Sequence, residues 1–356
     1  MKDGMTYAPQ GKPAPVVKPG EFVFAAAHLD HGHIYGQCNG LVEAGGELRY
    51  VFDPNPERVA AFLRQYPQAR PVDALDRIFE DDDVRMVAAA AVPCDRGPLG
   101  CRVMEAGRDY FTDKTPFTSL EQLGHAKETV QRTGRKYMVY YSERLHVECA
   151  MFAGELIEGG AIGRVVQTMG TGPHRLSAPN RPKWFFERSK YGGILCDIGS
   201  HQCEQFLYFT GAKDARLNFS AVANYRCPEY PELEDFGEAS FAADNGASGY
   251  MRCDWLTPDG LSTWGDGRTV ILGTTGYIEL RKYAQIGSGS PGGDHLYLVD
   301  SQGEHYIPCA GKVGFPFFGR LILDCLNRTE NAMTQEHAFK AAELCLIAQD
   351  QARRLA

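Results

Sequence analysis

What most constrains this chain is an alternation of short apolar runs with helix-spaced segments over its first 140 or so residues. Phe22-Val23-Phe24-Ala25-Ala26-Ala27 is a continuous apolar run, as expected of a strand covered on both faces of a parallel sheet. Residues 31–44 follow with Ile34, Cys38, Leu41 and Val42 at helical spacing and stop at Gly45-Gly46. Residues 48–52 read as a second strand closed by Asp53-Pro54, and 56–65 as a helix. The pattern continues with an apolar run at 84–92, a helix over 97–107, a short strand at Tyr110-Phe111, a helix over 119–133 and a strand at 137–141. Strands alternating with helices of about ten residues predict an α/β unit with a doubly wound parallel sheet of the Rossmann type.

Beyond residue 142 the texture changes. A helix over 146–159 precedes a half-polar strand at 164–169, and further runs at 216–225, 237–243, 248–254, 268–273, 276–281 and 295–299 alternate in polarity between turn signals. Alternation suits an antiparallel sheet with one exposed face. With helices near 200–210 and 335–355 it predicts an α+β domain around an open, mostly antiparallel sheet. Residues 1–20 hold four Pro and three Gly with few large apolar side chains, and 287–293 is a Gly-rich loop. The expected organisation is a flexible arm (1–20), a dinucleotide-binding domain (21–142) and a domain for substrate and oligomerisation (143–356).

Composition narrows the function. A formal charge of -8 gives no basic footprint for nucleic acid or anionic lipid. No apolar run approaches the ~20 residues of a membrane helix, and no apolar stretch follows Lys2 as a secretory signal would require. Eleven Cys, scattered with no Cys-x-x-Cys, read as reduced thiols in a cytoplasm.

A strand, a tight turn, a helix and an acidic residue ending the second strand form the layout of a dinucleotide site. Asp53 lies where a carboxylate can accept from an adenosine ribose hydroxyl, although a plain turn residue before Pro54 would look the same. The fingerprint glycines are replaced by His28-Leu29-Asp30-His31-Gly32-His33. Gly32 and Gly36 remain to let backbone approach a phosphate at the helix N-terminus, with the histidines capping the helix or bonding phosphate. The same His28, His31 and His33 with Asp30 could instead hold a divalent metal. Too few strand–helix units follow for an eight-fold barrel hydrolase, so no metal is expected. Pro93 stands at the mouth of the sheet, where loops meet a cofactor.

Two further segments carry a resemblance. Asp113-Lys114-Thr115-Pro116 after a strand resembles the Glu-Lys-Pro signature of the Gfo/Idh/MocA oxidoreductases. Gly192-Gly193-Ile194-Leu195-Cys196-Asp197-Ile198-Gly199-Ser200-His201 resembles that family's second signature, whose Asp and His face the nicotinamide. The likeness runs from about residue 21 to 356; the departures are the substituted glycines and Thr115 before the proline. It implies an NAD-dependent enzyme, with NADP possible, that moves a hydride between the cofactor and a hydroxyl or ketone of a sugar, cyclitol or glycoside. Lys114, Asp197 and His201 would be catalytic, Lys114 also holding the nicotinamide ribose, and a homodimer or homotetramer is implied.

The chemistry stands without the family name. Asp197 and His201 at i, i+4 share a helix face, so the carboxylate can orient the imidazole, and a histidine can take a hydroxyl proton. Arg144 reads either as substrate-facing or as a hinge ion pair. His174 and Trp184 suit a sugar's hydroxyls and apolar face, and Trp184 suits a core equally well. The rival readings are a metal-dependent hydrolase built on the histidine cluster and a binding protein that has lost its cofactor.

Overall fold

The computed structural model describes residues 3–287 and 292–355; part of the Gly-rich 287–293 loop lies outside the described residues. The chain divides into two compact units. One comprises Met5–Tyr140 with Pro316–Phe339, the other Met1–Gly4, Tyr141–Phe315 and Lys340–Ala356.

The first unit is a six-stranded parallel sheet. Its elements are β1 (Val23–Ala27), α1 (His33–Glu43), β2 (Glu47–Phe52), α2 (Pro56–Gln65), β3 (Arg70–Pro71), α3 (Leu75–Phe79), β4 (Val84–Ala89), α4 (Pro93–Glu105), β5 (Asp109–Asp113), α5 (Leu120–Thr133) and β6 (Tyr137–Tyr140). The strand order β3-β2-β1-β4-β5-β6 is that of the doubly wound dinucleotide-binding fold, with its switch point between β1 and β4. All five residues of β1 and of β5 are buried, which is why both lack alternation. Local chemistry sets the helix ends. Asn55 caps α2 by accepting from the Glu57 N–H, with Pro56 in the first turn, and Ser119 caps α5 by accepting from the Gln122 N–H.

Two segments differ from the sequence reading. Pro316–Asn327 is a helix with Pro316 as its first residue, and it belongs to this unit although it lies far along the chain. Phe318 packs against Gly40 of α1 and lies 6.1 Å, ring to ring, from Tyr140. The stretch expected to be a flexible arm runs along α1: Ala14 and Val16 donate to the carbonyls of Glu43 and Ala44, and Gly11 donates to the Glu43 carboxylate.

The second unit is built on a mixed sheet of β7 (Val165–Pro173), β8 (Ala215–Ala223), β9 (Phe236–Ala243), β10 (Ser248–Asp254), β11 (Arg268–Gly273), β12 (Tyr277–Arg281), β13 (His295–Asp300), β14 (Gly303–Pro308) and β15 (Arg353–Arg354). Its order is β14-β13-β12-β11-β7-β10-β9-β8-β15. Only β7–β10 and β8–β15 are parallel pairs. Along β11, Thr269 and Ile271 turn inward while Leu272 stays exposed. The helix Gly199–Thr210 covers the inner face, with Phe206 against Gly249 and Gln202 against Gly170.

Candidate active site

In the first unit the chain leaves β1 through a sharp turn. His28 holds a left-handed backbone (φ 51°) in the place of the first fingerprint glycine. Its N–H donates to the Phe52 carbonyl and its carbonyl accepts from Ala90, so neighbouring strands fix that conformation. Asp53, fully buried at its carboxylate, accepts from the Leu29 N–H at 2.6 Å and the Asn55 N–H at 2.7 Å. It thereby ties the turn to the end of β2, where an adenosine ribose would lie. Asp30 pairs with Arg58 at 2.5 Å. Burial pushes the Asp30 carboxyl up and Arg58 opposes the shift.

Gly32 caps α1, but the room it leaves is taken by the chain itself: any Cβ there would strike the Met5 carbonyl oxygen. A Cβ at Gly36 would stand 2.6 Å from the Tyr140 hydroxyl. Both glycines are therefore required by close packing within the protein. Pro93 is the first residue of α4, reached from β4 through Ala90, Ala91 and Val92.

The histidines separate into two groups. His28 lies edge-on to Phe52, and burial lowers its pKa against the pull of Asp30 and Asp53. His31 and His33 converge on Asp113, at 3.3 and 2.9 Å. Asp113 also binds Arg96 at 3.1 Å and accepts from the Lys114 N–H. Burial works to raise the Asp113 pKa, yet His33, Arg96 and His31 together hold it well below the usual carboxylate range. Burial and the neighbouring His33 keep the His31 pKa well below that of a free imidazole. His31, His33 and Asp113 could converge on a metal ion; His28 and Asp30 are not part of that group. The guanidinium on Asp113 already supplies its positive charge, a poor setting for a second cation. Lys114 follows directly at the end of β5, buried, its carbonyl accepting from Arg96.

In the second unit Gly192 and Gly193 both hold positive φ (85° and 94°), which explains the paired glycines of the motif. The helix they launch has its first N–H groups satisfied by distant side chains: Ile194 donates to Glu234 and Leu195 to Gln349. Ile198 keeps a helical backbone between the Ile194–Asp197 and Gly199–Thr210 helices, so Asp197 and His201 stand one turn apart. Both are buried, and the His201 ring lies 6.5 Å from Tyr141.

A buried polar network in the same unit joins His174, which the sequence singles out, to Glu143, Gln202 and Lys282, which it does not. Glu143 accepts from Gln202 at 2.9 Å and from Lys282 at 3.1 Å, and His174 lies 3.8 Å away. Lys282 is wholly buried. Gln202, beside His201 in the motif, was a usable signal; Lys282, at a strand end next to Arg281, gave none.

Arg144 is buried. Its Nε (2.7 and 3.0 Å) and Nη2 both donate to the Glu204 carboxylate, within the second unit, and its guanidinium lies 3.7 Å over the Tyr208 ring. His174 lies against Trp255 and Trp264, and Trp184 packs beside Phe185.

The comparisons with known proteins agree with this layout. Residues 24–141 match the model described as an oxidoreductase family with an NAD-binding Rossmann fold, and 151–279 match the GFO/IDH/MocA C-terminal domain. A candidate oxidoreductase from Erwinia carotovora atroseptica SCRI1043 is 50% identical, covering 94% of this chain and 100% of its own, with a TM-score of 0.91. The scyllo-inositol 2-dehydrogenase (NAD(+)) of Bacillus subtilis (strain 168) is 26% identical over 68% of this chain and 69% of its own. Levoglucosan dehydrogenase, solved with NADH and levoglucosan, shares the fold at 17% identity (TM-score 0.76, covering 93% and 98%).

Proposed function

This chain belongs to the Gfo/Idh/MocA family of NAD-binding oxidoreductases, and we propose that it oxidises a ring hydroxyl of a sugar, cyclitol or glycoside, or reduces the matching ketone. The observation that carries this reading is the buried Asp197–His201 pair on one helical run, in a chain whose other unit has the dinucleotide-binding strand order. The inositol and levoglucosan activities of the two named relatives support the substrate class.

When bound, a nicotinamide supplies or accepts the hydride. The chain's own residues do the rest. Asp53 holds the turn at the end of β2, where the ribose is expected, and Arg58 pairs with Asp30 beside it. Lys114 stands at the end of β5 to polarise the substrate oxygen or hold the nicotinamide ribose. His201 takes or returns the hydroxyl proton, and Asp197 stands one turn earlier on the same helical run. A screen of polyols and glycosides for NAD reduction tests the reading. His201→Ala should lower turnover by about 10²–10⁴ while NADH binding persists; a variant with wild-type turnover would remove His201 from the role.

The outer face of the second sheet supports a homo-oligomer. Phe219, Ser240, Tyr250, Met169, Val270, Glu279, Tyr297 and Tyr306 stand in register across eight strands. Phe219, Met169 and Tyr306 are 47%, 43% and 51% exposed, an apolar row that another copy would cover. Light scattering at micromolar concentration should give a dimer or tetramer mass; a single-chain mass unchanged on dilution refutes this. All eleven cysteines are free, which supports a reducing, cytoplasmic location, to be checked by cell fractionation. The acidic net charge supports a small-molecule partner over nucleic acid.

A further inference from the structure

Arg181 is buried at 8% exposure in the second unit. Its Nε donates to the Leu176 carbonyl at 2.8 Å and its Nη2 to the Arg175 carbonyl at 3.2 Å. Its guanidinium lies 4.7 Å from the Phe185 ring and 4.9 Å from the Trp255 ring. These contacts fix its position and leave its charge unmatched, because it makes no ion pair among the described residues. A buried cation without a counter-ion is costly, and burial lowers its pKa. Two carboxylates reach it at longer range, Asp3 and Asp197.

Aromatic rings and buried donors surround it. Trp255 touches Arg181, Phe185 and His174, and Trp264 touches His174. The indole N–H groups of Trp184 and Trp255 are buried with no hydrogen-bond partner in the described structure. Buried donors of this kind call for an acceptor. The chain's own N-terminal residues lie on the cluster: Asp3 and Gly4 are buried, and a Cβ at Gly4 would stand 2.9 Å from His174 and 3.2 Å from Trp264.

We propose that Arg181, with the indoles of Trp184 and Trp255, forms a subsite for a carboxylate, so that the substrate is an acidic sugar whose carboxylate competes with Asp3. This names a substrate class within the function proposed above and rests on it. A planar guanidinium held by two carbonyls is suited to a carboxylate, and aromatic faces beside it suit the apolar face of a sugar ring. Among the described residues, Asp3 is the carboxylate outside the Asp-x-x-x-His motif that acts on Arg181. A substrate carboxylate entering there would gain the pairing that the resting protein lacks.

Calorimetry on the full chain tests this with matched pairs, D-galacturonate against D-galactose and D-glucuronate against D-glucose. One acid of the panel should bind at least about 10²-fold more tightly than its neutral partner. Arg181→Gln should abolish the preference, Arg181→Lys should restore part of it, and Asp3→Asn should tighten acid binding several-fold. A melting curve establishes that each variant is folded. Equal affinity for acid and neutral sugar, no binding of either, or a preference that survives Arg181→Gln overturns the proposal. Tighter acid binding with no NAD reduction by any sugar leaves the subsite standing and overturns the dehydrogenase reading. Reduction of NAD by neutral sugars, with no preference for acids, does the reverse.

Discussion

Removing Arg144 separates a structural role from a substrate-facing one. Its side chain is 4% exposed and that of Glu204 is fully buried. Two donors engage the carboxylate, Nε at 2.7 and 3.0 Å from its two oxygens and Nη2 on Oε1, and the guanidinium also lies on the Tyr208 ring. Arg144→Met would leave a buried carboxylate without its counter-ion, at a cost of about 3–5 kcal/mol. In a unit of this size, where 1 kcal/mol moves the midpoint by about 2–4 °C, the second unit should melt roughly 6–20 °C lower. Glu204→Leu added to Arg144→Met removes the stranded charge and should recover most of the loss, because a buried ion pair contributes little over an apolar pair of similar volume. Urea titration and calorimetry of the two single variants and the double variant give the complete cycle. A single variant that loses under about 1 kcal/mol, within the range of an ordinary hydrogen bond, would refute the reasoning. If its KM for the substrate rose tenfold as well, Arg144 would face the substrate after all.

Cofactor choice follows from Asp53. Its carboxylate repels a 2′-phosphate, and Arg58, the cation that could compensate, is spent on Asp30 at 2.5 Å and on Asp53 at 3.5 Å. NADH should therefore bind at least about tenfold more tightly than NADPH by fluorescence titration, and the opposite order contradicts this. Asp294 gives a pH signature: burial raises its carboxyl to about 6, so between pH 4 and 6 the folded state keeps a proton that the unfolded state releases. Stability should then fall by up to roughly 3 kcal/mol as pH rises through that window, and Asp294→Asn should flatten this slope in urea titrations; an unchanged slope in the variant is the contrary result.

The parallel sheet was legible because burial on both faces leaves an unbroken apolar run, as in β1, and because Asp53 and Gly45 punctuate the elements. Asp197 and His201 were legible as a spaced pair in a Gly-rich setting. The helix Pro316–Asn327 was not assigned, although its first residue is a proline, because its partners in the first unit are more than 170 residues earlier in the chain. The packing of residues 11–16 along α1 was also hidden, since it rests on backbone hydrogen bonds that composition does not reveal. The partner of Arg144, Glu204, lies 60 residues later in the chain, and no local spacing pairs the two. Residues whose partners are local can be read from sequence; those whose partners come from another element cannot.

The replaced fingerprint glycines show the same principle at the nucleotide end. Each glycine answers a separate need, and the structure meets each by a different means. The first need is a backbone conformation, and His28 adopts it, held by bonds to Phe52 and Ala90 at a cost of about 1–2 kcal/mol for a residue with a Cβ. The second is space beside the turn, and the Asp30 side chain there pairs with Arg58. The third is close helix packing, and here the solution is a change of partner. His33 sits inside α1, and its ring nitrogen pairs with Asp113 at the far end of β5. An imidazole there needs an acceptor, and Asp113 supplies one while holding His31 and Arg96. Asp113 is also the residue that stands before Lys114 in the motif that resembles Glu-Lys-Pro. The departure at residue 33 and the acid at residue 113 are thus two halves of one contact, and through Asp113 that contact fixes the backbone N–H of Lys114.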